Sequence, residues 1–167
     1  MSLGIDIRVI SNLSASERLL AKKRKRSGRL KKGFIQAALI YRKAMQIRHA
    51  RNARGGGEWV ARADGKTPIL RKTDTLYKEL SQSRSKGNIT VGPNNDVVTI
   101  AYSERRHPEF KGTIGGLAHI HHFGTLRGGR GHIPSRPLLI RPRGQVLERM
   151  TDELRKALRD IARGKSA

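Results

Sequence analysis

Closely spaced histidines are the residues of this sequence best suited to bind a metal ion. They are His119, His121 and His122, with His107 and His132 on neighbouring segments. If the segment is extended, His119 and His121 point to the same face and could form a metal pair. A closed zinc site needs four ligands, usually supported by carboxylates, but no Asp or Glu lies between Phe110 and Gln145. We therefore expect imidazoles that hydrogen-bond to backbone and partner groups, with no metal and no cofactor.

The remaining polar residues match no catalytic motif. A nuclease needs clustered carboxylates to hold metal ions, whereas the acids here are scattered: Asp64, Asp74, Glu79, Asp96, Glu104 and Glu109. No Walker loop, dinucleotide-binding glycine motif or Ser-His-Asp signature occurs. The glycine runs Gly55–Gly57 and Gly128–Gly131 lack the Lys-Ser/Thr of a phosphate loop and are interpreted as hinges. The sequence predicts a protein that is not an enzyme.

Positive charge is the dominant property of the chain. It has 36 Lys and Arg against 13 Asp and Glu, a net charge of +23. Residues 1–54 hold 15 of these cations against Asp6 and Glu17, a net charge of +13. Such a surface attracts polyanions. The candidate residues for polyanion or acidic-partner contact are Lys22, Lys23, Arg24, Lys25, Arg26, Arg29, Lys31 and Lys32.

This basic run has three interpretations. It could contact the phosphate backbone of nucleic acid, clamp an acidic protein, or form a solvated face. Base stacking needs aromatic side chains, and only 4% of the chain is aromatic, so sequence reading is not expected. No apolar run approaches the roughly 20 residues of a membrane span. There is no cysteine, so neither disulfides nor thiolate metal sites can form. We expect no membrane association and a protein that is soluble and intracellular when it is made.

The hydrophobic pattern predicts an α+β chain. Residues 3–10 alternate as a strand, and Ser14 and Glu17 have capping-box spacing. A helix is predicted from about Ser16 to Arg54, kinked or broken near Ser27–Gly28 and ended by Gly55–Gly57. Its apolar stripe is Leu30, Phe34, Ala38, Tyr41 and Met45.

The rest of the chain alternates short elements with loops. We predict a loop over 58–68 with the single tryptophan, a short helix containing Leu76, Tyr77 and Leu80, and a hairpin of 89–91 with 97–102. A charged loop over 103–116, an extended edge segment over 133–140 and a C-terminal amphipathic helix follow. The predicted fold is one domain, residues 1–167: a small antiparallel sheet packed with a long N-terminal basic helix, its basic segment spanning 14–54, and a C-terminal amphipathic helix.

Two motifs carry a family resemblance. The first is Leu117-Ala118-His119-Ile120-His121-His122-Phe123-Gly124, and the second is Ile133-Pro134-Ser135-Arg136-Pro137-Leu138-Leu139. They resemble Tyr-Ala-x-x-His-x-Phe-Gly and Ile-Pro-Ala-Arg-Pro-Phe-Leu-Gly of the phage virion morphogenesis (tail completion) family of Mu-like tailed phages. Upstream, Gly57-x-Trp59, Ile69-Leu70 and Thr73-x-x-Leu76 are similar to further family positions. The match covers about 57–140; Leu117, Asp74, Leu138 and Ile140 depart from it.

The resemblance implies a structural virion protein that forms a ring, expected to be hexameric, at the head–tail junction. It implies contact with neighbouring neck and tail proteins and no catalysis. The expected location is the virion neck or tail, with the host cytoplasm as the location during assembly. The motif residues expected at subunit or partner interfaces are His121, Phe123, Gly124, Ile133, Pro134, Arg136, Pro137 and Leu139. We expect Phe123 to be buried, His121 to make a structural hydrogen bond near it, and Arg136 to bind a carboxylate or backbone carbonyls.

Two roles remain for the basic helix inside such a ring. It could line the DNA channel, or it could clamp an acidic surface of an adjoining protein, which we prefer because an adhesive lumen would retard DNA ejection. The alternative function, supported by charge alone, is a non-sequence-specific nucleic-acid-binding protein of ribosomal or nucleoid type.

Overall fold

The computed structural model describes residues 3–7, 13–23, 28–59, 75–81, 89–92, 97–125 and 133–163. Its elements in chain order are β1 (Gly4–Ile7), α1 (Ala15–Lys23), α2 (Gly28–Ala53), α3 (Thr75–Ser81), β2 (Ile89–Val91), β3 (Val98–Ala101), α4 (Ile114–Phe123) and α5 (Gly144–Ala162). The chain is α+β, as predicted. Predictions for 8–12, 24–27, 60–74, 93–96, 126–132 and 164–167, including Arg24, Lys25, Arg26 and His132, lie outside the described residues.

The described strands form one small sheet in the order β1-β3-β2. Strands β2 and β3 pair antiparallel, with Ile89 opposite Ile100 and Val91 opposite Val98. Val98, Ile100 and Tyr102 are buried, while the residues between them are half-buried. This alternation has the period of two that a strand imposes. The predicted pairing of the two strands is therefore confirmed, as is the prediction that Val98, Ile100 and Tyr102 lie on the same face.

Helix α1 begins with the predicted capping box. The Ser14 amide donates to Glu17 Oε2 at 2.8 Å, and the Glu17 amide donates to Ser14 Oγ at 3.4 Å. These reciprocal bonds satisfy two amide groups that the first helical turn leaves without partners. The hydrogen bond from the Ser14 backbone is the main reason that the pKa of Glu17 lies below its ordinary value.

Helix α2 buries the predicted stripe, whose members are Leu30, Phe34, Ala38, Tyr41 and Met45. It ends as predicted at the glycine run, where Gly55 has a φ of 80°. The Gly55 amide donates to the Asn52 carbonyl at 3.0 Å, and the Gly56 amide donates to the Arg51 carbonyl at 3.3 Å. This is a Schellman ending, which satisfies carbonyls of the last turn.

The predicted long helix is present as two elements, α1 and α2, whose ends at Lys23 and Gly28 flank the predicted break. The C-terminal amphipathic helix is also confirmed, since α5 buries Met150, Leu154 and Leu158. The predicted loop over 103–116 is wrong at its end. Thr113 caps α4, which starts at Ile114, because the Thr113 side chain accepts a hydrogen bond from the Gly116 amide.

The chain divides into two compact units, each built from separate stretches of sequence. The first contains Met1–Ile5, Lys43–Asn88 and Ala101–Ile140, and the second contains Asp6–Arg42, Ile89–Ile100 and Arg141–Ala167. Helix α2 contributes its second half to the first unit and its first half to the second. Both motifs of the family resemblance fall in the first unit.

Within the second unit, α2 and α5 make a close contact at Gly33. A Cβ atom placed on Gly33 would lie 2.8 Å from the Ala157 Cβ, so the absence of a side chain permits this approach. Ion pairs lie nearby: Arg29 with Asp160 at 3.7 Å, and Arg155 of α5 with Glu17 of α1 at 3.4 Å. None of the helices in the described ranges is long and apolar enough to span a membrane.

Candidate functional site

The two motifs form one hydrogen-bonded structure in the first unit. The Arg136 amide donates to the His121 carbonyl at 2.7 Å, and Ser135 Oγ donates to the His122 carbonyl at 2.7 Å. These carbonyls belong to the last turn of α4, which has no intrahelical partners for them. The second motif therefore completes the hydrogen bonding of the helix that carries the first.

Gly124 makes this arrangement possible. Its φ of 76° and ψ of −174° lie in a region that is accessible essentially to glycine alone. A Cβ atom at this position would lie 2.7 Å from the Ile133 carbonyl oxygen and 2.8 Å from the Ser135 amide nitrogen. The Thr125 amide then donates to the Ile133 carbonyl at 2.9 Å. The glycine of the first motif thus lets residues 133–135 pass directly over the helix end.

A second set of contacts joins the motifs to α2. The Pro137 carbonyl accepts from Arg48 Nη1 at 2.5 Å and from Trp59 Nε1 at 3.2 Å. Arg48 Nη2 also donates to Glu58 Oε2 at 2.8 Å, and this bond holds the pKa of Glu58 below its ordinary value. Two donors on one proline carbonyl fix the extended segment against the end of α2. Sequence reasoning did not identify Arg48, because its partners are distant in the chain.

The histidine segment is helical, which corrects the extended geometry considered for it. In α4, His119 and His121 are two positions apart, so they do not share a face as they would in a strand. His122 Nδ1 accepts from the Leu138 amide at 3.1 Å. A neutral imidazole with Nδ1 as acceptor carries its proton on Nε2, so neither ring nitrogen of His122 offers a free lone pair to a metal ion.

No group of three or more potential metal-binding side chains occurs within the described ranges. His107 has a structural role instead, since its Nδ1 accepts from the amides of Glu109 and Phe110 at 3.1 and 3.0 Å. The nearby carboxylate Glu79 is buried and binds the Arg105 guanidinium and the Ser103 amide. These contacts fold the loop between β3 and α4 back on α3, and sequence reasoning assigned none of them.

Burial, together with nearby positive charge, favours the neutral form of two histidines of α4, His121 and His122. Burial lowers the pKa of His121 from 6.5 to about 4, and the charge of Arg136 contributes further. Burial also lowers the pKa of His122, with smaller contributions from His119 and Arg48. His121 Nδ1 is buried and has no hydrogen-bond partner among the described residues. The predicted side-chain hydrogen bond of the motif is therefore seen for His122 and not for this atom.

Phe123 is 62% exposed, so the prediction that it is buried is wrong. It is the last residue of α4, and its ring contacts His119 and His122 at centroid distances of 4.7 and 4.6 Å. Buried positions in α4 are instead Ile114, Gly115 and Ala118. The residues expected at interfaces differ in how exposed they are. Arg136 and Leu139 are buried, Ile133, Pro134 and Pro137 are half-buried, and Phe123 is exposed.

The basic run is only partly described and lies in the second unit. Lys22 and Lys23 belong to α1, whereas Arg29, Lys31 and Lys32 belong to the first turn and a half of α2. Lys31 and Lys32 are exposed, but Arg29 pairs with Asp160. No family model, curated protein or solved structure matches this chain.

Proposed function

We propose that this chain is a non-catalytic structural subunit that assembles into a ring at the head–tail junction of a tailed-phage virion. One observation carries the proposal: the two motifs of the resemblance bind each other and leave Phe123 exposed at a fixed position. A large aromatic side chain held outward is typical of residues that become buried in protein interfaces. The site would therefore act by contact with a neighbouring subunit rather than by chemistry.

The burial of the motif residues decides which variant tests the proposal. Arg136 is 5% exposed, so Arg136→Ala would damage the fold as well as any subunit contact. Phe123→Ser removes an exposed ring and leaves the buried contacts of α4 intact. A matched control is Leu19→Ser, since Leu19 is exposed by 59% and lies in α1.

The experiment is negative-stain imaging and mass photometry of the purified protein. We expect rings for the unmodified chain and for Leu19→Ser, and monomers with unchanged circular dichroism for Phe123→Ser. Rings that persist with Phe123→Ser would contradict the assigned contact, and absence of rings in all three proteins would contradict the proposed function.

The nucleic-acid-binding alternative is supported by exposed Lys31 and Lys32 together with the net charge of +23. Its signature would be salt-dependent binding to random duplex DNA without ring formation. Within a virion, replacing Lys22, Lys23, Arg24, Lys25 and Arg26 with Gln separates two roles of the run. Heads and tails that fail to join would indicate contact with an acidic partner, which we favour, whereas joined particles with abnormal DNA packaging or ejection would indicate a channel lining.

A further inference from the structure

A surface of α2 in the first unit combines exposed cations with an exposed aliphatic side chain. Lys43, Ile47 and Ala50 follow one another in α2 at helical spacings of four and three residues, so they share a face, and Arg54 comes directly after the helix end at Ala53. Ile47 is 59% exposed, and Lys43 before it and Arg54 after it in the chain are exposed as well. We call this face the Ile47 surface. None of these four residues belongs to the two motifs.

Hollows lie on both sides of Ile47. One has a volume of about 450 Å³ and is lined by residues of α2, by Arg54 and Gly56, which follow α2, and by Tyr77 of α3. The other, of about 640 Å³, reaches Gly57, Glu58 and Ile140. Ile47, Arg51 and Gly56 line both, and the side chains of Ile47 and Arg51 therefore form a ridge between two depressions that could each receive a side chain.

The charged residues described in the lining of the first hollow are all cations. Its described lining contains Lys43, Arg51 and Arg54 and no acid. Arg51 is held in place, since its Nε donates to the Gly56 carbonyl at 2.8 Å. A cation fixed in this way loses less side-chain entropy when it binds an anion. In the second hollow, Glu58 is engaged by Arg48 at 2.8 Å.

We propose that the Ile47 surface docks an acidic segment of another protein that also carries an apolar side chain. Carboxylates would pair with Lys43, Arg51 and Arg54, while the apolar side chain would cover Ile47. A nucleic-acid backbone would match the cations but would leave Ile47 in water. A second copy of this chain, with 36 cations against 13 acids, has the wrong charge for a cationic surface. This inference does not depend on the proposed place in a virion.

The test is titration of the isotope-labelled full chain with synthetic peptides, followed by the isoleucine methyl signals in NMR spectra. The probe is a peptide of repeating Glu-Leu-Glu, and its controls carry Ser for Leu or Gln for Glu. The Ile47 methyl signal is identified by its loss in Ile47→Ser. We expect the probe to shift this signal in a saturable way, and each control peptide to bind more weakly by about tenfold, the ratio expected when one buried side chain or charge set is lost.

Variants of exposed residues give a matched comparison, because their replacement leaves the core unchanged. Binding to the variants is measured by fluorescence anisotropy of a dye-labelled probe, which does not require the Ile47 signal. Ile47→Ser and the double variant Lys43→Gln/Arg54→Gln should each weaken probe binding about fivefold to tenfold, a range typical of one exposed contact site. Leu19→Ser and Lys31→Gln/Lys32→Gln should not, although Leu19 is exposed by 59%, like Ile47.

Equal binding of the Ser-substituted peptide, or equal losses in both sets of variants, would overturn the proposal in favour of nonspecific charge attraction. A short DNA duplex that shifts the Ile47 methyl signal as strongly as the probe would overturn it in favour of a nucleic-acid surface.

Discussion

The backbone amide of Leu138 donates a hydrogen bond to Nδ1 of His122 at 3.1 Å, which joins the two motifs through a side chain. Leu138 is 1% exposed, so water cannot readily replace the imidazole. This histidine is therefore a structural acceptor that fixes the segment after Arg136 to the last turn of α4.

Removal of that acceptor should destabilise the chain. We expect His122→Ala to lower the free energy of unfolding by about 1–3 kcal/mol, because a buried amide loses its partner. His122→Asn should recover part of the loss, since its Oδ1 can occupy a position near Nδ1. Urea unfolding measures both, with His119→Ala as the control in the same helix. Equal losses at His119 and His122 would show that the bond to Leu138 has no special role.

Metal removal should have no effect. In α4 the histidines are spaced by a helix rather than a strand, and Nδ1 of His122 is occupied by the Leu138 amide. We expect a chelator to leave the unfolding midpoint and the oligomeric state unchanged. Stoichiometric zinc in the purified protein, lost together with folding on chelation, would contradict this expectation.

Gly124 should tolerate no side chain. Gly124→Ala combines an unfavourable φ of 76° with a contact of 2.7 Å to the Ile133 carbonyl, and we expect a loss of about 2–4 kcal/mol. Gly144→Ala is the matched control, because Gly144 has a φ of 51° but nothing within 4 Å of a Cβ. It should cost only the backbone strain of about 1–2 kcal/mol. Thermal or urea unfolding that ranks the variants in the opposite order would refute the close-approach argument.

At Gly33, packing rather than helix propensity should decide how a substitution changes stability. Alanine is intrinsically favoured over glycine in a helix by about 1 kcal/mol, yet a Cβ at Gly33 would lie 2.8 Å from that of Ala157. We expect Gly33→Ala to destabilise the chain by a net of about 1–2 kcal/mol through overpacking. Adding Ala157→Gly should relieve the clash, which a double-mutant cycle measures. Gly28→Ala, with nothing within 4 Å, should not be destabilising.

His121 should make stability depend on pH. Its pKa is about 4 in the folded chain against an ordinary value of 6.5, so the unfolded chain binds more protons between these values. The free energy of unfolding should therefore fall as the pH drops from about 6.5 towards 4. In His121→Leu this contribution disappears, whereas carboxylate titrations common to both proteins cancel in the difference. A wild-type-minus-variant difference that is flat across this range would contradict the assignment.

Local sequence signals were sufficient for much of the fold. The capping box of Ser14 and Glu17, the α2 stripe, the α5 face and the β2–β3 alternation were all predicted, because each depends on spacing within a single element. The glycine run after Ala53 likewise ends α2 as expected, since a Schellman ending needs a residue that accepts positive φ.

The conformation of the histidine segment and the contacts around it depend on tertiary structure. Helix α4 includes Gly115 and Gly116, which disfavour helix, and its ends are stabilised by Thr113 and by residues 133–136. The helix turns Phe123 outward, against the expectation that this motif residue is buried. The Arg48–Pro137 bond spans 89 positions, and the Arg29–Asp160 pair takes one cation from the basic run. The sequence alone determined which residues form caps, stripes and turns, but contacts between distant residues depend on how the elements pack.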